Sequence, residues 1–433
     1  MVSLAVPPVM SPGSASAVWL ESVLRVFEPS LPAAVGATAG DLAQSRTAAR
    51  DHLRRLGLPP TRQEAWRFTS LAPLIAVPPR VLPMPEQAFE PNHPPASKAL
   101  RLYWDGDRDP LAGVDLPEGL SRLETSVQDA LLGTVLRTAG TTDSWLVRFN
   151  AALVGQVLAL RVRGRVAFPL ELVSDCGHET GVRPLRLLLL LEEDASLELL
   201  QVHRAGDSSL TTVVVEAQLA PRSRLRHGVL AQGAGASCLL AHLAFSQSPA
   251  SELDLTTVAG GWGLVRLEPA ISQVMGAAAT RLRGLQVARD RQIADLHSLV
   301  RFEGPEGQLD QLQKAVVDDA GRSIFHGAVQ VPQAAQRTSA SQLSRNLLLC
   351  DRARVDAIPQ LEIVADDVRC THGATVTRLQ QEELFYLRSR GLGSDQAARL
   401  LLEGFCDEIL ASLPESASSW DPAAALLRKA LPR

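Results

Sequence analysis

The densest cluster of ligand-type side chains in the sequence is Ala365-Asp366-Asp367-Val368-Arg369-Cys370-Thr371-His372-Gly373-Ala374-Thr375. If this stretch is a β-strand, two-residue alternation sets Asp366, Val368, Cys370 and His372 on one face, with Cys370 and His372 about 6–7 Å apart along the backbone. A thiolate and an imidazole at that spacing can reach one soft or borderline metal ion, or adjacent irons of a small cluster, which accepts cysteine and sometimes histidine. Two ligands do not complete a tetrahedral site, so any metal here needs ligands from elsewhere, another chain included. The residues alone leave a plainer reading open: a strand end with a buried cysteine and a hydrogen-bonded histidine. A Cys370–His372 nucleophile pair is disfavoured, because neighbours on one strand face point outward side by side, and Asp366 and Asp367 oppose thiolate formation. The histidines at 178, 203, 227, 242 and 326 each stand alone in strand-like context, and Cys176-Gly177-His178 repeats the C-x-H spacing in what reads as a loop.

Other chemistries find little support. The five cysteines, Cys176, Cys238, Cys350, Cys370 and Cys406, form no C-x-x-C pair, so no disulfide framework or zinc knuckle is expected, and a reducing, cytoplasmic setting fits. The glycine runs at 233–235 and 260–263 lack the Lys-Ser/Thr and the strand-to-helix setting of a phosphate loop. Formal net charge is −4 with mixed signs along the chain, so no basic stripe invites nucleic acid or an anionic membrane. No run approaches a membrane span, and residues 1–16 lack the basic start and apolar core of a secretion signal. A sugar-cleaving β-helix enzyme would need paired carboxylates, yet Asp318-Asp319 and Asp366-Asp367 are sequence neighbours that face opposite sides of a strand.

The elements that must position Cys370 and His372 are strands of a repetitive kind. A chain of 433 residues exceeds what one compact core usually holds, and only 4% of it is aromatic, which favours stacked aliphatic side chains. Past residue 145 short runs such as Leu197-Glu198-Leu199-Leu200-Gln201-Val202 alternate and are separated by Gly, Pro, Asp and Ser. Leucines at 197, 225, 253, 282 and 309 recur every 27 to 29 residues. That period, filled with short strands, predicts a parallel β-solenoid, with a β-sandwich as the alternative. Helical spacing of Trp19, Leu20, Val23, Leu24 and Phe27, then of Asp41–Leu56, predicts a helical start. Eight prolines between 73 and 95 predict a linker. At the far end Glu382–Arg390 reads as a helix, and Ser394 as the cap of another carrying Ala398, Leu401, Leu402, Phe405 and Ile409 on one face. These helices either pack on the end of the solenoid or dock a partner. The resulting division is a helical domain over 1–72, a lead-in over 73–140, a β-helix over 141–376 and a helical domain over 377–433.

From Ser323 to Leu410 the chain resembles the SufB/SufD family of iron–sulfur cluster assembly proteins. The resemblance rests on Ser323-Ile-Phe325-His-Gly327-Ala-Val329, Ala335-Gln336-Arg-Thr338 with Gln342 and Asn346, Pro359-Gln-Leu361-Glu362-Ile363, Cys370-Thr-His372-Gly373-Ala374-Thr375 and Leu384-Phe385-Tyr386-Leu387. Arg62-Gln-Glu64-Ala-Trp66-Arg-Phe68-Thr69 is similar to an amino-terminal box of the SufD branch, with Arg67 and Phe68 where that box usually has Lys and Tyr. A missing cysteine-rich stretch and the H-G-A-T ending also point to that branch. The resemblance implies a mainly β protein, a right-handed parallel β-helix with α-helical ends, acting as a non-catalytic scaffold. It implies SufB and the ATPase SufC as partners, with SufC on the carboxy-terminal helices around Phe385, Tyr386, Leu401 and Phe405. It further implies a transient iron–sulfur cluster at the SufB–SufD interface, to which Cys370 and His372 contribute; of the two His372 is expected to matter more, since a thiolate beside Asp366 and Asp367 is harder to stabilise. No tightly bound cofactor is expected on the isolated chain, which could pair with itself. Flavin binding by the complex and the cluster type stay open.

Overall fold

The computed structural model describes residues 14–28, 38–83 and 99–427. Two nine-stranded sheets run through it, and each turn of the chain adds one strand to each. One sheet begins with Leu100–Tyr103 and ends with Arg369–Thr377; the other begins with Leu120–Arg122 and ends with Arg354–Ile363. All neighbours are parallel except Leu120–Arg122, which joins Leu158–Val162 antiparallel. The predicted solenoid is therefore present, and the sandwich is not. Parallel pairing needs a crossover, and here each crossover is the strand of the opposite sheet.

Alternation along each strand sends one row of side chains into a core shared by both sheets and the other row outward. Leu197, Leu225 and Leu253 stand in register on adjacent coils, as the repeat predicts. The row then continues through Thr280, Leu309, Ala340 and Cys370. Leu282 is two places out of step and pairs with Leu255, because the coil after Leu253 takes 27 residues while the leucine spacing there is 29. At one corner Asp194, Arg222, Ala250, Ala277, Glu306 and Arg337 all take positive φ. Each donates its N–H to a carbonyl of the next coil, Arg337 to Asp367 at 2.6 Å. Non-glycine residues rarely adopt that conformation, and here a stacked backbone ladder holds them in it.

Outward rows are apolar where helices cover them. Trp19, Leu24 and Leu53 of the helices Ala15–Val26 and Thr38–Leu56, with Phe149, pack on Val182, Leu210, Leu240 and Leu264. Trp145–Leu153, read from sequence as the start of the strand region, is the helix that carries Phe149. Across the molecule Leu402, Cys406, Ile409 and Trp420 cover Leu200, Val202, Leu230, Val258 and Leu285. The carboxy-terminal helices thus lie along the flank of the solenoid and not on its end, because that flank is where the outward apolar stripe needs cover. Gly393 caps the helix Ser394–Leu410, its N–H donating to Gln396 Oε1 at 3.0 Å, so Ser394 is the first helical residue and not the cap. Residues 73–83 hold the end of a short helix, Ala72–Ile75, and a bridge from Val81 to Val182. The rest of the proline-rich stretch, 84–98, and the leader reading for residues 1–13 fall outside the described residues.

The amino-terminal box is anchored from below. Arg266, 2% exposed, donates to the carbonyl of Ala65, pairs with Asp295 at 2.6 Å and with Glu268 at 2.7 Å, and lies 3.9 Å from the centre of the Trp66 ring. Thr69 adds its hydroxyl to Asp295. Thr69, the Ala65 carbonyl and the Trp66 ring are thus what the box contributes to a buried ionic network, while Arg62, Gln63, Glu64 and Arg67 stay exposed.

Candidate functional site

Cys370 and His372 lie on Arg369–Thr377, which has a hydrogen-bonded neighbour on one side only, as does Arg354–Ile363 opposite. In the preceding coil the inward row Ala340, Gln342, Ser344 and Asn346 is buried. In register on the last coil, Cys370, His372, Ala374 and Val376 occupy the same row. Among the described residues no further coil covers them: His372 and Ala374 are exposed, Val376 is 52% exposed and Cys370 is half-buried. Val355, Ala357, Pro359, Leu361 and Ile363 continue the inward row of the other sheet. The end of the solenoid is therefore an open mouth, apolar on one wall and carrying the cysteine–histidine pair on the other.

The strand places Cys370 and His372 on one face, as expected. Asp366 does not join them. The strand starts at Arg369, and Asp366 and Asp367 form the corner before it, Asp366 accepting from Gln333 Nε2 at 3.0 Å and the Asp367 N–H donating to Gln336 Oε1 at 2.9 Å. Burial raises the Cys370 thiol, partly offset by a backbone hydrogen bond from Ala340, so it is burial and not the neighbouring aspartates that opposes the thiolate. Among the described residues no group of three or more His, Cys, Asp or Glu side chains could hold a metal ion. The pair is a half-set whose donor types suit iron and whose number does not close a site.

Beneath the pair lies a polar floor that sequence reasoning quoted only as motif letters. Gln342 stands in register under His372 and Asn346 under Val376. The amide nitrogen of Gln342 donates to Gln311 Oε1 at 3.0 Å, and that of Gln311 to Ser298 Oγ at 2.8 Å. The 30-residue step from 342 to 372 is visible in the sequence, and counting coils would have paired them.

The expected docking residues divide. On Gln381–Ser389, a helix with no buried residue, Phe385 is 73% and Tyr386 55% exposed. Leu401 and Phe405 are half-buried, and Phe405 packs inward, its ring under the Lys314 ammonium at 4.8 Å and its carbonyl accepting from Lys314 Nζ at 2.7 Å. The buried stripe of Ser394–Leu410 keeps Leu402 and Ile409 of the expected face and adds Ala397 and Cys406 in place of Ala398, Leu401 and Phe405, a slight rotation, and Leu400 joins the exposed set.

The remaining histidines divide between unpartnered and partnered ones. His203 and His227 sit inside the solenoid, burial pushing them down to about 4 and about 3, and neither has a hydrogen-bond partner among the described residues. His242 bonds Glu268 and Thr141, and His326 stacks on His297 at 5.1 Å. Cys176 is buried in the core, while His178 beyond Gly177 is exposed beside Asp207.

Fold and site together define the class: a parallel β-solenoid with flanking helices and an open end that carries a cysteine–histidine pair. Residues 176–405 match the family model described as SUF system FeS cluster assembly, SufBD core domain. The chain is 32% identical over 408 residues, 86% of its length and 88% of the relative's, to an iron–sulfur cluster assembly SufBD family protein of Synechocystis. It is 29% identical over 383 residues to the iron–sulfur cluster assembly protein SufD of Escherichia coli, covering 84% of this chain and 88% of that one. A chloroplastic protein of Arabidopsis thaliana is 31% identical over 69% of this chain and 66% of its own length. The chain belongs to the SufBD family of SUF-system iron–sulfur cluster assembly proteins. Among the described residues no helix is long and apolar enough to cross a membrane.

Proposed function

We propose that this chain is a non-catalytic SufD-type scaffold subunit that pairs with SufB through its open last coil and carries the ATPase SufC on its carboxy-terminal helices. Cys370 and His372 then supply part of a nascent iron–sulfur cluster site, completed by ligands from SufB. The cluster is cargo held transiently at the seam, with no cofactor tightly bound to the isolated chain, in a reducing cytoplasm.

One observation carries the reading. The cysteine–histidine half-set lies on the inward row of the last coil, where among the described residues no further coil covers it. Unpaired strand edges invite pairing with another chain, which either SufB or a second copy of this chain could supply. Phe385 and Tyr386, on a helix that buries nothing, suit a docking patch for SufC. His372 is assigned the larger role, because the Cys370 thiol must lose its proton against a raised affinity for it before it can ligate.

Co-expression with SufB and SufC, capture on a tag carried by this chain, and anaerobic loading with iron and sulfide test the reading. All three subunits should copurify. His372→Ala should lower cluster yield at least tenfold while leaving the complex intact. Full yield from that variant would remove His372 from the site, and turnover of a sugar polymer by the chain alone would remove the scaffold reading.

A further inference from the structure

Gln342 is 2% exposed, and its side chain is held by a hydrogen bond and by close packing. Its amide nitrogen is tied to Gln311, which is tied in turn to Ser298. Gly327 leaves the space for it, since a Cβ there would come within 2.4 Å of Gln342 Nε2. With the nitrogen so engaged, the side-chain carbonyl Oε1 is left without a hydrogen-bond partner among the described residues. A buried amide oxygen without a donor is costly to a fold, and such groups in native proteins call for an explanation. The residue in register with Gln342 on the last coil is His372, about 4.8 Å away across the ladder and on the same inward row.

We propose that Gln342 is a positioning residue for His372: its side-chain carbonyl accepts the N–H of one imidazole nitrogen, which turns the lone pair of the other nitrogen out of the mouth towards iron. The inference rests on the reading of His372 as a cluster ligand. A histidine that binds metal through one nitrogen has its tautomer and ring plane set by the hydrogen bond at the other. On an exposed edge strand the ring otherwise turns freely and divides between two tautomers. The chain Ser298–Gln311–Gln342 crosses the core from one sheet to the other and then steps up to the next strand, so the packed interior of the solenoid aims a side chain on its exposed rim.

The test uses the full-length chain with ¹⁵N-labelled histidines, the His372 signals being assigned by their loss in His372→Ala. In the native chain one neutral tautomer of His372 should dominate. Gln342→Met keeps the bulk beside Gly327 and removes the acceptor, and should mix the tautomers. Gln342→Glu restores an acceptor oxygen and should restore the single tautomer. In the complex with SufB and SufC, anaerobic loading with iron and sulfide should fall at least tenfold in the Met variant and recover in the Glu variant. Circular dichroism establishes that each variant folds, and Gln311→Met, which releases the Gln342 amide from its anchor, replaces Gln342→Met if that one does not. An unchanged tautomer in the Met variant, or Met and Glu variants that behave alike, overturns the proposal even if His372→Ala abolishes loading. If His372→Ala loads normally while Gln342→Met still mixes the tautomers, the contact stands and the ligand reading falls.

Discussion

Single side chains inside the solenoid set its response to acid. His203 and His227 are held neutral by burial, at about 4 and about 3, whereas in the unfolded chain they titrate near 6.5. The unfolded state therefore binds protons that the folded state refuses, and stability falls as pH drops below about 6.5 until the folded values are reached. Down to pH 4.5 that loss is about 2–3 kcal/mol for each histidine, in a window where most carboxylates have yet to titrate. His227 stands in register between Leu199 and Leu255, so His227→Leu puts the repeat's own residue type in its place. Urea denaturation at pH 7 and pH 4.5 should show the variant losing less stability between the two than the native chain, and an equal loss would remove the assignment. The alternation that placed these histidines on strands was legible in the sequence. That they faced the core on adjacent strands required the coil register, which a sequence periodicity drifting between 27 and 29 residues did not fix.

Elements attach to the solenoid through a few buried anchors. Arg266 joins the strand Leu264–Gln273 to the amino-terminal box, between the Trp66 ring, the Ala65 carbonyl and two buried carboxylates. Arg266→Met keeps much of the bulk but removes the guanidinium that Asp295 and Glu268 share, and should cost about 3–5 kcal/mol. Chemical denaturation measures that loss, and protease cleavage within residues 38–83 should accelerate with it. A loss under about 1 kcal/mol would mean the network does not hold the box. The box itself was legible as a polar-aromatic motif. Its partner was not, because Arg266 and Trp66 are 200 residues apart and nothing in the local pattern of Leu264–Gln273 marks an arginine as interior. The rotation of Ser394–Leu410 was missed for a related reason. Leucines and alanines occupy both sides of that helix, so its apolar stripe is broad, and the flank it covers selects the face.

At the scale of the whole molecule the fold follows from a repeat, and the site follows from where the repeat stops. Cys370 and His372 were found as a pair because strand alternation is local, whereas their position on an uncovered rim is a property of the last coil and shows only once the coils are counted. The rim predicts association. The isolated chain should form end-to-end dimers at high concentration, since two unpaired strand edges flank an apolar wall. Val376, 52% exposed on that rim, is the place to test it. Val376→Lys sets a charge in the mouth, should shift the chain to monomer by light scattering and weaken SufB capture, and should change folding stability by less than about 0.5 kcal/mol. A dimer that survives the substitution would place self-association elsewhere.

The carboxy-terminal segment also limits how such a protein can change its length over generations. Trp420 is stacked by Arg101 on the first strand of its sheet, 4.4 Å away, while Phe405 is fixed to Lys314 six strands further along. Between those two fastenings the segment spans a set number of coils, like a ruler laid against a stack. Duplicating one coil between them would carry one fastening past its mate, so gene-level growth by repetition is open only beyond the fastened stretch.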